Sequence, residues 1–215
     1  MNKISNNTGY TMHTELSSPR EVKSKETVER IVSAATSIID GGDLSKLTVK
    51  NVCKLAGVSN GVFFHFFNSK NDLIIQYMHD GYEKYIEEHP FEPSGKDIID
   101  DIIYFYIHNV RYCQKIGVEF IHYYYTTENK ALAGRDAKNL VTGPCYDNVI
   151  ALVRKGQESG YFKSTSSAFE ITADLGMLVK GVIFEWALCD GNFDVERYID
   201  KMCRIYLNSI RVEQK

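Results

Sequence analysis

The sequence predicts an all-α protein, with a small helical domain near its N-terminal end and a larger helical domain after it. Three observations support this prediction. Apolar residues recur at helical spacing through most of the chain, capping residues, glycine or proline separate the segments, and no alternating run is long enough to indicate a sheet. We expect a polar tail over residues 1–21, a first domain over 22–72 and a second domain over 73–215.

The first domain is predicted to contain three helices. Helical periodicity begins at Ser24 and stops at Gly41-Gly42. The second helix is expected over 49–56 with Thr48 as its cap, and the third over 60–67 after Ser59. Two short helices joined around a glycine are typical of a helix-turn-helix. The predicted shared core consists of Ile31, Ala35, Val52, Leu55, Ala56, Val58, Phe63 and Phe67.

The second domain is predicted to contain longer helices. A connecting helix over 71–88 should end at His89-Pro90, because proline disfavours helix continuation. A capping box of Ser167 and Glu170 should begin a helix that reaches about residue 189. The other expected segments are a long apolar and aromatic helix within 94–127, a helix over 145–159 and a final helix over 194–210.

The composition is that of a soluble globular protein, with 44% hydrophobic and 25% charged residues. No apolar run approaches the roughly 20 residues that span a bilayer, and the polar N-terminal segment lacks the apolar centre of a signal peptide. We therefore expect a cytoplasmic protein without a membrane partner. The five cysteines form no CxxC pair, which argues against a disulfide framework and against a thiolate zinc site.

The charge is unevenly distributed along the chain. Between Arg20 and Asn71 there are eight Lys or Arg and five Asp or Glu, although the whole chain has a net charge of −3. A basic N-terminal domain on an acidic remainder favours a protein that presents one end to phosphates.

Residues 47–73, LTVKNVCKLAGVSNGVFFHFFNSKNDL, resemble the DNA-binding motif of the TetR family. The matching features are Thr48, the turn Ala56-Gly57-Val58-Ser59, Phe67, Lys70 and Leu73. The sequence departs from the family pattern at Phe64, where tyrosine is usual, and at His65-Phe66, where a histidine usually stands directly before the closing phenylalanine. The resemblance implies a one-component transcriptional regulator: a helix-turn-helix followed by a helical ligand-binding and dimerisation domain.

The predicted DNA contacts lie at the start of the recognition helix and at nearby helix N-termini, where free amide groups and basic side chains meet phosphates. Asn60 can pair with adenine, and Val62 and Phe64 suit thymine methyl groups. Because no Arg or Lys lies between Ser59 and Phe67, we expect A·T-rich half-sites in the operator. The predicted DNA-binding residues are Thr48, Lys50, Ser59, Asn60, Gly61, Val62, Phe64, His65 and Lys70.

The resemblance also implies a small-molecule effector, most commonly one that releases a repressor from its operator. The aromatic segment after residue 94 has two interpretations: the wall of an effector cavity, or a helix buried on several sides. Few cationic groups are available there, so we expect an apolar or aromatic effector. The candidate effector-binding residues are Tyr104, His108, His122, Tyr123 and Trp186.

A homodimer is implied as well, with the last two helices pairing with their symmetry mates in a four-helix bundle. Their apolar residues exceed what one internal face needs, so charged residues at Val179 or Ile183 are expected to disrupt the interface. The apolar positions are Leu175, Leu178, Val179, Val182, Ile183, Trp186, Tyr198, Ile199, Met202, Ile205 and Tyr206.

We expect no catalytic residues, metal or cofactor. The stripe Asp97, Asp101, Tyr104 and His108 could suggest a metal site, but we interpret it as solvated surface. No P-loop, GxSxG, GxGxxG or HExxH is present. Two alternatives remain open: a helical protein-interaction adaptor, in which the helix-turn-helix serves packing, and an enzyme without a recognised motif.

Overall fold

The computed structural model of the chain describes residues 19–125 and 144–213, and the expectations for residues 1–18 lie outside this part. The described ranges contain nine α-helices and one short 3₁₀ helix. Their only β-type pairing is one isolated bridge between Phe162 and Arg211. The all-α prediction is therefore confirmed. The chain forms two compact units, which we call the head (up to Asn68) and the body (from Ser69).

The head consists of α1 (Pro19–Asp40), a 3₁₀ turn (Leu44–Lys46), α2 (Val49–Ala56) and α3 (Asn60–Phe66). The first helix begins at Pro19 and not near Ser24, so residues 19–21 of the predicted tail are helical. Proline suits the first helical position because its missing N–H needs no partner there. Apolar periodicity missed this turn because Arg20 and Glu21 are charged and exposed.

Short-range hydrogen bonds fix both ends of the helix-turn-helix. The Asn51 amide donates to Thr48 Oγ1 and the Val62 amide donates to Ser59 Oγ, each at 3.2 Å. Gly57 ends α2 in the left-handed region at φ 65°, where its amide donates to the Cys53 carbonyl. The predicted boundaries of α2 and the predicted caps are confirmed.

The head core forms around the fully buried side chains of Ile31, Leu47, Val52 and Phe63. The prediction that Leu55 belongs to this core is wrong, because its side chain is 59% exposed. Helix α2 turns Val52, Cys53 and Ala56 inward, so Leu55 points to solvent.

The body consists of α4 (Lys70–Glu88), α5 (Ile98–Ile116), α6 (Val118–Tyr124), α7 (Pro144–Glu158), α8 (Ala168–Leu188) and α9 (Val195–Ser209). The expected single segment over 94–127 is divided. Gly117 adopts φ 92° and ends α5, a conformation that costs glycine little. The Ser167–Glu170 capping box is confirmed, with both reciprocal hydrogen bonds present.

The core of the body lies where α5 packs on α7 and α9, and where α8 packs on α6, α7 and α9. Among the described helices, none is long and apolar enough to cross a membrane. The fully buried side chains at the centre of the body include Ile102, Val110, Ile121, Val149, Leu175, Ile199 and Leu207.

Two residues predicted for a subunit interface belong to this core. Val179 and Ile183 are 4% and 5% exposed within a single chain, so their side chains already pack against the chain's own helices. The sequence gives helical spacing but not which side of α8 faces inward, and α8 has apolar residues on several sides.

Candidate nucleic-acid interface and effector site

Eight of the nine predicted DNA-binding residues lie in the head, and all eight are exposed. They are Thr48, Lys50, Ser59, Asn60, Gly61, Val62, Phe64 and His65. Two of them, Val62 and Phe64, are apolar side chains left open to solvent. A row that mixes amide, hydroxyl, imidazole and apolar groups can read base edges and thymine methyl groups.

Phe63 packs α3, the helix that carries most of this row, onto the core of the head. Its side chain is fully buried, and its ring contacts those of Phe64 at 5.3 Å and Phe67 at 5.5 Å between centroids. Phe64 is the next residue along the helix, rotated by roughly 100°, and its side chain is exposed. By contrast, Phe66 is half-buried.

Arg30 supports the turn between α2 and α3, a role that sequence reasoning missed. Its Nη1 donates to the Ala56 carbonyl at 3.2 Å, at the end of α2. A Cβ built on Gly57 would lie 3.9 Å from the same nitrogen. The contact joins residues 26 positions apart, and no local pattern in the sequence indicates it.

An open groove of about 470 Å³ lies between α1 and α3. Arg20 and Lys23 lie on its α1 wall. From the sequence, these two residues were counted only in the net charge of the N-terminal domain. The described residues that line it are Arg20, Lys23, Ser24 and Thr27 from α1, with Ser59, Gly61, Val62, His65 and Phe66 from the α3 side.

The ninth predicted DNA contact, Lys70, is the first residue of α4 and lies in the body. Its ammonium lies 5.3 Å from the centroid of the Tyr123 ring, a cation–π contact. A predicted DNA contact therefore touches a predicted effector residue within one unit.

The five candidate effector residues occupy different places in the body. Tyr104 and His108 lie together, with ring centroids 6.4 Å apart. The Tyr123 ring contacts the Lys70 ammonium group, and His122 is exposed. Trp186 is buried, and its ring packs against the backbone of Gly191. Among the ring contacts of these five residues with one another, the structure shows only that of Tyr104 with His108.

His108 is the distinctive polar group of the body. It is 4% exposed, and its Nε2 atom has no hydrogen-bond partner among the described residues. Burial lowers the pKa of His108, while a hydrogen bond to the His89 backbone acts in the opposite direction. Nε2 of a neutral imidazole can accept a hydrogen bond when the proton is on Nδ1.

The interpretation of Asp97, Asp101, Tyr104 and His108 as a solvated stripe is wrong for two of its members. Asp101 is 3% exposed, and its carboxylate accepts hydrogen bonds from the amides of Ser94 and Gly95 and from the Ser94 hydroxyl. These hydrogen bonds fix the loop residues Ser94 and Gly95 to the first turn of α5. The side chains lie inward because α5 is covered on several sides, which no single helical stripe reveals.

Asp97 has a structural role at the start of α5. Its carboxylate caps the Ile99 and Asp100 amides and accepts from the Tyr161 hydroxyl at 2.9 Å. Burial opposes ionisation of this carboxyl group, but these hydrogen bonds outweigh it and lower its pKa.

Within the described residues, one group has the geometry to hold a metal ion: His79, Asp80 and Glu83 on α4, with ligand atoms within 4.8 Å of one another. All three side chains are exposed, and His79 pairs with Glu83 at 3.4 Å. Among the cysteines, burial raises the pKa of both Cys113 and Cys203 to about 12, so these two are neutral core thiols.

An exposed recognition helix on a small capped core, followed by a larger helical body, defines a helix-turn-helix DNA-binding protein. Residues 31–77 match the family described as bacterial regulatory proteins, tetR family. This match covers the second half of α1, the helix-turn-helix and the start of α4. No curated protein matches the sequence significantly.

Several solved structures share the fold of the chain. The Thermus thermophilus FadR, a TetR-family transcriptional repressor in complex with lauroyl-CoA, has a TM-score of 0.66 at 18% identity and covers 87% of this chain and 96% of its own. FadR of Bacillus subtilis in complex with stearoyl-CoA has a TM-score of 0.54 at 14% identity, with 86% and 100% covered. SmeT, the repressor of a Stenotrophomonas maltophilia multidrug efflux pump, has a TM-score of 0.51 at 16% identity. The alignment covers 87% of this chain and 93% of SmeT.

Proposed function

We propose that this protein is a cytoplasmic, homodimeric repressor that leaves its operator when a small, mainly apolar or aromatic molecule binds the body. The observation that carries the DNA-binding part is the exposed row on α3, held in place by buried Phe63. A helix that served only packing would have little reason to leave Val62 and Phe64 in water.

The chemistry of this row favours A·T-rich half-sites. Asn60 can donate to and accept from adenine, whereas Val62 and Phe64 can contact thymine methyl groups. His65 is the only side chain on α3 that can become cationic, so guanine lacks the bidentate arginine contact that usually specifies it.

The last two helices offer a surface for the second subunit. On α8, Met177, Gly181, Phe184 and Leu188 recur at spacings of four, three and four residues, and are exposed. A Cβ built on Gly181 would have no atom of the described residues within 4 Å, so a partner helix has room to approach closely. On α9 the exposed apolar residues are Tyr198, Met202 and Ile205. These two stripes replace Val179 and Ile183 as the proposed interface.

The unpartnered Nε2 of His108 suggests what the effector carries. A buried acceptor without a donor is costly, and an effector with a hydroxyl or N–H group would satisfy it. The aromatic rings of Tyr85 and Tyr104 flank the imidazole and suit an apolar ring. We therefore propose a phenol-like or alcohol-bearing effector, whose donor points to Nε2.

The contact between Lys70 and Tyr123 supports a route from effector to DNA. Lys70 can place its charge over the Tyr123 ring or near a DNA phosphate. An effector that shifts Tyr123 or α4 would change how readily the Lys70 ammonium group contacts a DNA phosphate. The coupling free energy of such systems is typically about 1–3 kcal/mol.

Two of the similar structures, the FadR proteins, were solved with acyl-CoA. Lauroyl-CoA is therefore a useful comparison compound for this chain, with its long apolar tail and anionic head. Our proposal favours 1-naphthol, which presents an O–H donor, over both lauroyl-CoA and 1-methoxynaphthalene, which lacks the donor.

The proposed function is tested by selecting DNA from a random pool with the full-length protein. We expect an A·T-rich inverted repeat, with half-site centres one helical turn or somewhat more apart. Addition of 1-naphthol should release the selected DNA at lower concentration than 1-methoxynaphthalene. Recovery of no sequence above background would overturn the DNA-binding proposal, and G-rich half-sites would overturn the proposed base contacts.

A further inference from the structure

We propose that the groove between α1 and α3 holds the sugar–phosphate backbone that flanks each half-site, with Arg20 and Lys23 as its phosphate contacts. This inference rests on the proposed DNA-binding function. It adds a second wall to the interface, formed by residues that precede the family match at 31–77.

The side chains of the α1 wall share one side of a helix. Arg20, Lys23, Ser24 and Thr27 follow one another at spacings of three, one and three residues, so they form one stripe along the first turns of α1. Arg20 and Lys23 are exposed, and none of the described residues that line the groove is a carboxylate. Two cations with two hydroxyl groups are the usual donors to phosphate oxygens.

The opposite wall belongs to the base-reading row. Ser59, Gly61, Val62 and His65 line the groove and are also predicted DNA contacts. A DNA strand whose bases meet α3 must place its backbone beside that helix. The groove is open to solvent, which suits a DNA strand better than an enclosed small molecule.

Gly61 gives independent support for close approach by a ligand. Its backbone is helical and is not among the glycines with positive φ. A Cβ at this position would find Ser59 Oγ as its nearest atom, at an ordinary 3.8 Å. Alanine would therefore fit the folded protein and would favour the helix. Neither backbone nor packing requires glycine here, but a DNA backbone lying in the groove would.

The test compares Lys23→Ala with Lys25→Ala, which removes the same charge from the same helix. Lys25 is exposed, lies two residues further on, and does not line the groove. Affinity for the selected operator is measured by fluorescence anisotropy over a range of salt concentrations. Each lost phosphate contact lowers the magnitude of the log–log salt slope by about 0.9, so Lys23→Ala should lower it by about 1.8 in a dimer.

Arg20→Ala should act as Lys23→Ala does, whereas Lys25→Ala should leave the slope within about 0.5 of wild type. Gly61→Ala should maintain or raise the melting temperature and weaken operator binding at least tenfold. Equal slopes for the Lys23 and Lys25 variants, or full affinity of Gly61→Ala, would overturn the groove assignment while leaving the proposed function in place. If the wild-type protein shows no salt-dependent DNA binding, both proposals fail.

Discussion

The head and the body carry their polar groups in opposite ways. In the head, the residues proposed to meet DNA are exposed around a small core, and capping hydrogen bonds fix the helices that carry them. In the body, His108 and Trp186 are buried among packed side chains. The head can therefore meet its ligand without rearrangement, whereas a molecule that reaches His108 must separate packed rings.

Those rings belong to one aromatic cluster between α4 and α5. Tyr85 contacts the rings of His89, His108 and Tyr112 at centroid distances of 4.5–5.4 Å. The Tyr112 hydroxyl also donates to the Met78 carbonyl of α4. An effector that opens this cluster would act directly on α4, the helix that begins at Lys70. The difference between the units suggests a preformed DNA reader and an adaptable sensor.

The largest expected effect separates the core of the body from its exposed stripe. Val179→Lys places a charge in the core and should destabilise the folded chain by more than about 4 kcal/mol. Ile205→Lys places the same charge on a side chain that is 60% exposed, so the chain should fold but fail to dimerise. Thermal unfolding and light scattering measure the two outcomes. A dimeric Ile205→Lys protein would contradict the proposed interface.

A smaller effect is expected within the head. Phe63→Ala removes a fully buried ring and should cost about 3–5 kcal/mol, whereas Leu55→Ala should cost less than about 0.5 kcal/mol. Urea unfolding followed by circular dichroism distinguishes them. Phe63→Ala should also lose operator binding. Comparable destabilisation by both variants would mean that Leu55 is a core residue after all, as its helical spacing first indicated.

The smallest expected effect is the contribution of His108 to the pH dependence of the free energy of unfolding. The pKa of His108 lies below its ordinary 6.5 in the folded chain, because burial disfavours the charged ring. As pH falls through about 6.5, the unfolded chain gains a proton that the folded chain does not, so the free energy of unfolding decreases.

His108→Phe retains a ring but cannot titrate. Its unfolding free energy, measured by urea denaturation at pH 7.5, 6.5 and 5.5, should depend less steeply on pH than that of wild type. Parallel pH curves for the two proteins would show that His108 is not kept neutral by burial.

The sequence predicted the head more fully than the body, for physical reasons. Thr48, Ser59 and Gly57 act on backbone groups within a few residues, so their roles follow from local patterns. The contact of Arg30 with the Ala56 carbonyl joins distant residues, and no local pattern indicates it.

In the body, the capping box and the end of α4 were predictable, but the break at Gly117 and the inward sides of the helices were not. Asp101 was expected on the surface and Val179 at an interface. Both are buried instead, because several sides of α5 and α8 are covered by other helices. Apolar residues on more than one side of a helix do not reveal which side faces the core.

The central claim is that occupation of the body controls DNA binding by the head. Its most direct test titrates 1-naphthol into the protein–operator complex while following DNA anisotropy and the emission of Trp186, the single tryptophan of the chain. Both signals should change over the same concentration range, and operator affinity should fall by about 5- to 150-fold. A change in Trp186 emission with undiminished operator affinity would contradict the claim, because the body would then bind a guest without controlling the head.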